Sequence, residues 1–439
     1  MTHFGILCPA STGHLNTMTT LGSELLHRGH RVTVFNFLDA KAKTLASGLE
    51  FQALAEDEFP LGASTKILTE MGKLSGLNAL QYNLKNVPKT SAVMLREAPP
   101  TIKKAGVEAL LVDQYSLEGG TVADILNIPF VTICSGLMLN REPNIPPIFT
   151  TWQYNPTWKG RWRNRLGFRL VEVLAKPIRK TIAQSRKEWK LPLYNHPNDY
   201  YSKLAQISQQ PPEFNFPRQS LPPHFHFVGH LHNPALRQPV SFPFEQLTGK
   251  PLIYASMGTI QNRLLNVFQT IASACEGLDA QLVIDLGGGA TPESLPQLAG
   301  NAIVVGYAPQ LELLQKATLT ITHAGMNTTL ESLRNGVPMV AIPVANDQPG
   351  IAARIAYTGV GEVVSLKELS VAKLRSAIET VLTQKSYKQR AVEMQGAILF
   401  EGNAYARSGG VKHAADIIEQ VVLTGKPVLA SQISNQSQI

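Results

Sequence analysis

Two sets of residues have types and spacing suited to chemistry. The first is His14 with Asp113. His14 lies in Ser11-Thr-Gly-His, the loop after a strand-like run at residues 4–8, and Asp113 closes the apolar run Leu110-Leu-Val. Adjacent strands of a parallel sheet present such residues at one edge. An imidazole oriented by a carboxylate is a general base near neutral pH. Read alone, a loop histidine is more often a plain hydrogen-bonding residue. The second set runs from Tyr307 to Gln348, YAPQLELLQKATLTITHAGMNTTLESLRNGVPMVAIPVANDQ. Residues 319–322 read as a buried strand, His323-Ala-Gly-Met-Asn as a tight turn, and Thr328 as the opening of a helix. A small-residue turn feeding a helix N-terminus binds anions, because unsatisfied N–H groups and the helix dipole favour phosphate. His323 adds a donor there, and Glu331, one turn inside the helix, can accept from ribose hydroxyls. The plainer alternative is an ordinary crossover capped by Asn327 or Thr328.

These residues need elements to hold them. Residues 4–8, 15–28 and 31–37 read strand, helix, strand, with Leu15, Met18, Leu21 and Leu25 at helical spacing. The rhythm recurs at 109–112, 119–126 and 130–134, while 59–100 is mixed. Residues 211–243 hold eight prolines in 33 positions, a linker or an edge segment. Strands then read at 252–255, 281–285, 302–305, 319–322, 339–342 and 361–364. The expected class is α/β, with two doubly wound domains and ligand at the strand C-terminal ends. The expected divisions are 1–243, 244–400, a helix in 401–425 returning to the first domain, and a disordered tail at 426–439.

Composition narrows the function classes. The chain has 439 residues, 44% hydrophobic and 16% charged, which is globular and enough for two domains. No apolar run reaches the ~18 residues of a membrane span. Cys8, Cys134 and Cys275 are too few and too far apart for a disulfide framework. The first residues lack the basic and apolar regions of a leader, so a cytoplasmic location is expected. The net charge is +8, but Lys159 to Lys190 alone carries +9, leaving −1 for the remainder. One basic patch does not predict nucleic-acid binding. On a helical wheel Phe168, Val171, Leu174 and Ile178 form an apolar stripe beside Arg161, Arg165, Arg169 and Lys176, with Trp158 and Trp162 at the start. This predicts a helix packed on the first domain with solvated charges. Its alternative is a peripheral contact of residues 158–190 with anionic membrane.

The stretch 307–348 resembles the nucleotide-sugar signature of family 1 UDP-dependent glycosyltransferases, whose GT-B fold has two facing Rossmann-like domains and an interdomain cleft. The signature falls on Pro309, Gln310, His323, Gly325, Asn327, Thr328, Thr329, Glu331, Gly336, Val337, Pro338, Pro343, Asp347 and Gln348. From His323 to Gln348 the spacing matches the plant form without a gap. The resemblance implies that Tyr307 stacks on uracil and the Ala308 backbone reads its edge. It gives Glu331 the ribose, His323, Asn327 and Thr328 the diphosphate, and Asp347 and Gln348 the donor sugar. In the family a final Gln accompanies glucose. Gln310 and Gly325 belong to the same site. The loop Ala255-Ser256-Met257-Gly258-Thr259 resembles the family's phosphate loop, making Ser256 and Thr259 secondary contacts, with turn chemistry the alternative for Ser256. The family's catalytic His and partner Asp fall on His14 and Asp113.

Three departures stand out: Tyr307 replaces a Trp, Met326 replaces a Trp, and the segment before His323 is two residues shorter than in plant enzymes. They point to a microbial member, similar to bacterial and cyanobacterial enzymes that include carotenoid glucosyltransferases. The implied reaction is inverting transfer of a sugar, with glucose the expected one, from a UDP-sugar to a hydroxyl of an apolar small molecule. The UDP-sugar is a donor substrate; no cofactor is expected. No Asp-x-Asp pair stands out, so no metal is expected. The acceptor pocket is expected near residues 60–100 and 135–155, with the run from Ser135 as a wall. Rivals are a silent binding protein and a nucleotide-sugar epimerase on the same fold. His224, His226, His230 and His232 read as structural rather than metal-binding, and Gly287-Gly-Gly as a strand-end turn.

Overall fold

The computed structural model describes residues 1–296, 298–399 and 410–430. Short apolar runs buried on both faces make parallel strands. In the first sheet these are β1 (His3–Leu7), β2 (Arg31–Asn36), β3 (Glu50–Ala53), β4 (Ala109–Asp113), β5 (Phe130–Cys134), β6 (Gln206–Ser208) and β7 (Phe225–Phe227). In the second they are β8 (Leu252–Ser256), β9 (Gln281–Asp285), β10 (Ile303–Val305), β11 (Ala317–Thr322), β12 (Met339–Ala341) and β13 (Gly361–Val363). The orders are β3-β2-β1-β4-β5-β6-β7 and β10-β9-β8-β11-β12-β13. Both sheets are therefore doubly wound, with the order reversing between β1 and β4 and between β8 and β11. Alternation along β4 sends Ala109 and Leu111 into one core and Leu110 and Val112 into the other.

The mixed region resolves into the helix Ala63–Gly72 and the long helix Gly76–Ala105, which continues through Pro88, Pro99 and Pro100 and stops at Gly106 in the left-handed region, φ 70°. The proline-rich segment supplies the edge strand β7. The basic segment forms two helices, Trp158–Leu174 and Lys176–Glu188. The helix Gly410–Thr424 packs on the first domain. Its Ala414, Ile417, Ile418 and Val421 share a core with Leu15, Met18, Leu21 and Leu25 of the helix Thr12–His27. Arg28 Nη1 reaches Asp416 at 2.6 Å and Glu419 at 2.7 Å.

The disorder expected from residue 426 does not begin there. Val428 is buried in that same core, and its N–H donates to Leu204 O at 2.9 Å. An apolar side chain with a cavity to fill and a backbone partner offsets the ordering entropy of a short segment. Residues 401–409 and 431–439 lie outside the described residues.

Candidate active site

His14 stands in the first turn of the helix Thr12–His27, directly after β1. Its Nδ1 lies 2.8 Å from Asp113 Oδ2. Asp113 is fully buried at the end of β4, and its other oxygen accepts from Tyr115 N–H at 2.9 Å. A carboxylate only accepts, so the proton belongs on Nδ1 and the lone pair on Nε2. Nε2 has no partner among the described residues. Burial pulls the His14 pKa down, but the Asp113 charge and hydrogen bond outweigh it, and the net shift is upward. Ser135, one residue past β5, joins this pair: its Oγ donates to Asp113 Oδ2 at 2.5 Å and sits 2.8 Å from His14 Nδ1. The Tyr115 ring meets the His14 ring edge-to-face at 5.1 Å. Sequence reasoning placed Ser135 only in a pocket wall. Its strand-end position beside β4 was the available signal.

The second domain presents its residues from the matching sheet end. His323 follows β11, its ring held between Gly258 and Gly325. A Cβ at Gly258 would fall 2.4 Å from the imidazole, and one at Gly325 would fall 2.5 Å from it. Only glycine permits that approach, and Gly258 also has φ +72°. Burial lowers the His323 pKa to about 4, so the ring is neutral at pH 7. Its Nδ1 is buried without a hydrogen-bond partner. The helix begins at Met326, two residues before the expected Thr328, and its N-cap is Gly325 with no side-chain cap. Asn327 and Thr328 are thus first-turn residues rather than caps. The first-turn N–H groups keep their anion-binding capacity.

Several of the remaining predicted residues are engaged within the protein, and Thr259 and Tyr307 are exposed. Ser256 Oγ accepts from Gly258 N–H at 3.2 Å and lies 3.3 Å from Asp285, which is turn chemistry, while Thr259 is exposed. Tyr307 offers a partly exposed ring beside Gly288, and Ala308 is buried. Glu331 is buried. One oxygen accepts from Arg237 Nη2 at 2.5 Å and the other from Gln310 Nε2. Burial still leaves its carboxyl raised. Arg237, from the proline-rich segment, was not anticipated. Asp347 Oδ2 accepts from Tyr115 O–H at 2.9 Å and Leu137 N–H at 3.0 Å. Gln348 Oε1 accepts from Val344 and Ala345 N–H, both at 2.9 Å, and its Nε2 is 3.3 Å from Gln261 Oε1. Asn327 Nδ2 donates to Gly13 O at 3.0 Å and its Oδ1 accepts from Gln209 Nε2 at 3.2 Å. Through Asn327, after β11, the two switch points touch, and Asp347, after β12, adds a second contact between the sheet ends.

The histidine run is divided. His224 bonds Ser202 O and His226 bonds Val428 O. His230 and His232 stack at 5.1 Å, and with Glu331 they place ligand-type atoms within 4.8 Å of one another. That spacing suits a metal, yet both Glu331 oxygens are already committed to Arg237 and Gln310. Gly287 and Gly288 turn at the end of β9 with φ 58° and 74°. Cys8, Cys134 and Cys275 are buried and free. No helix among the described residues is long and apolar enough to cross a membrane.

Two doubly wound domains meeting at their strand C-terminal ends form the GT-B arrangement, which solved glycosyltransferases share. The structure of the glycotransferase of kitacinnamycin superposes with TM-score 0.72 at 20% identity, over 95% of this chain and 98% of that one. The calicheamicin glycosyltransferase CalG4 gives 0.71 at 20% identity, over 96% and 98%. The family described as "UDP-glucoronosyl and UDP-glucosyl transferase" matches residues 6–396, and the chain belongs to it and is a UDP-glycosyltransferase. The chain is 34% identical to the zeaxanthin glucosyltransferase of Pantoea ananas over 432 residues, 98% of each chain. It is 32% identical to that of Pseudescherichia vulneris over 431 residues, 98% of this chain and 100% of the relative.

Proposed function

We propose that the protein transfers glucose from UDP-glucose to a hydroxyl of an apolar small molecule, with a carotenoid alcohol such as zeaxanthin the first acceptor to try. The observation that carries the reading is the hydrogen-bonded His14, Asp113 and Ser135 at the meeting of the two switch points. Nε2 takes the acceptor proton as the acceptor oxygen attacks the anomeric carbon from the face opposite the nucleotide. The carbon–oxygen bond to UDP breaks, and the configuration inverts. Asp113 stabilises the imidazolium so formed, and Ser135 holds the carboxylate in place. The leaving diphosphate gathers charge beside the first-turn amides after Gly325 and the neutral His323, which donates without carrying charge. Thr328, Ser256 and Thr259 line the same end.

Tyr307 supplies the uracil face and Ala308 its edge. Glu331 exchanges Arg237 for the ribose hydroxyls when donor enters. Asp347 and the Gln348 amide nitrogen face the sugar. A cytoplasmic setting, where UDP-glucose is made, suits this chemistry. The test is UDP release and product mass with UDP-glucose and detergent-solubilised zeaxanthin, or phenolic and terpenoid alcohols. Acceptor-dependent UDP release with a mono- or diglucoside supports the reading. UDP release without acceptor would point to an epimerase, and no turnover with any acceptor to a binding protein.

A further inference from the structure

The helix Trp158–Leu174 carries two apolar rows. Phe168, Val171 and Leu174 turn inward and are partly buried, Phe168 beneath the Arg141 guanidinium at 4.9 Å. Trp158, Trp162, Leu166, Leu170 and Val173 form the other row, recurring at three- and four-residue steps, and each is 41–72% exposed. That row lies in a basic frame. Lys159, Arg161, Arg165 and Arg169 are exposed along the same helix. Beyond Val173 opens a cavity of about 640 Å³ between the two helices, lined by Arg169, Lys176, Arg179 and Lys180 with Tyr200 and Glu172. Glu172 is already paired with Arg141 at 2.9 Å. Among the described residues, Arg165, Arg169, Lys176 and Lys180 have no ion-pair partner.

We propose that this helix pair is a docking surface for anionic lipid headgroups, with the Trp158–Val173 row seated at the headgroup–acyl boundary and the cavity receiving a phosphate. The proposal goes beyond glycosyl transfer and stands on the surface alone. An exposed Trp/Leu row flanked by Arg and Lys, on a helix about 25 Å long, is the form that lies in a bilayer interface. The charge is complementary: +9 in this segment against −1 for the remainder orients this face toward a negative surface. A second copy meeting it through the same face would set the unpaired Arg165, Arg169, Lys176 and Lys180 against their own copies. Nucleic acid would leave the apolar row unused. The inward side rests on the active-site half: Asn164 Nδ2 donates to Pro143 O at 3.1 Å, and the same segment's Ile148 O accepts from Gly350 N–H at 2.8 Å. A docked helix would therefore hold the loop after β5 against the membrane.

The test is sedimentation of the full chain with vesicles of phosphatidylcholine alone or with phosphatidylglycerol, at low and high salt, with brominated lipid to quench tryptophan. Pelleting with the anionic vesicles only, weakened by salt and accompanied by quenching, is expected. Each Lys or Arg near such lipid is worth about fivefold in partitioning, so R165Q/R169Q/K176Q weakens it on the order of 100-fold. W162A/L170S pellets less and is quenched less than wild type. Both variants keep the wild-type melting temperature and UDP affinity, since the changed side chains are exposed. Free glycerol phosphate does not mimic the vesicles. The proposal is overturned if wild type stays in the supernatant at low salt, if it pellets without quenching, or if W162A dissociates a dimer.

Discussion

Tyr115 and Asp347 belong to different domains, yet the Tyr115 hydroxyl donates to Asp347 Oδ2 at 2.9 Å. The same tyrosine ring leans on His14, so the carboxylate assigned to the donor sugar and the imidazole assigned to the acceptor share one neighbour. Sugar hydroxyls that engage Asp347 must compete with this bond or join it.

Tyr115→Phe keeps the ring on His14 and removes only the tie. A hydrogen bond to a charged group is worth about 1.5–3 kcal/mol when well shielded, so this half-buried one is expected near 1–2 kcal/mol. A double-mutant cycle with Asp347→Asn, read by urea unfolding, should return a coupling above about 0.5 kcal/mol. Strict additivity would mean the two residues merely lie close.

His14→Ala should lower transfer to a non-acidic alcohol by about 10² or more, the usual worth of a positioned base, while UDP binding by calorimetry is unchanged. Near wild-type turnover with such an alcohol would remove His14 from the mechanism. A phenol is a weaker probe because it ionises more readily.

The upward shift of His14 sets the pH profile. The base works unprotonated, so kcat/KM should rise with pH through a midpoint above 6.5. Asp113→Asn removes the larger raising charge and leaves the burial that lowers, with only Asp347 still raising, so the midpoint should move down while the plateau falls. Stability runs the other way. The protonated ring is favoured in the folded state, so its contribution is present below about pH 6.5 and fades as pH rises through the folded value. A wild-type midpoint below 6.5 would contradict the pairing.

Donor choice should follow Glu331. A deoxyribose leaves part of that carboxylate unpaired, at a cost of about 1–3 kcal/mol, so UDP-glucose should outpace dTDP-glucose, while Asp347 and Gln348, suited to equatorial hydroxyls, should favour it over UDP-galactose. Equal rates with the dTDP donor would sink the assignment. Arg237→Ala should destabilise the free protein by about 1–3 kcal/mol, seen as a lower melting temperature, because a buried carboxylate loses a partly exposed counter-ion. UDP should then stabilise the variant more than wild type, measured by thermal shift.

The legible parts of the fold were those with both faces buried. β1, β4, β8 and β11 read as short apolar runs, and their ends located His14, Asp113 and His323. The strands β3, β6 and β7 read Glu-Phe-Gln-Ala, Gln-Ile-Ser and Phe-His-Phe, with polar residues interrupting the apolar ones, so no apolar run marked them. Three prolines disguised the helix Gly76–Ala105. Ser135 reaches Asp113 only because β4 and β5 are neighbours, and Arg237 reaches Glu331 across 94 residues. No local pattern encodes either contact. On the helix Trp158–Leu174 the wheel showed the inward stripe but not the outward one. The small residues marked the packed side: Gly160 abuts Asn155, and Gly167 abuts Pro147 and Trp152.

The helix Gly410–Thr424 closes a core begun by residues at the opposite end of the chain. On the ribosome, the face formed by Leu21 and Leu25 emerges roughly 400 residues before Ile417 and Ile418. At roughly 5–20 residues per second that interval is roughly 20–80 s. The nascent first domain therefore waits, one flank bare, until synthesis is almost finished. That flank is apolar surface a chaperone would have to shield for the whole interval.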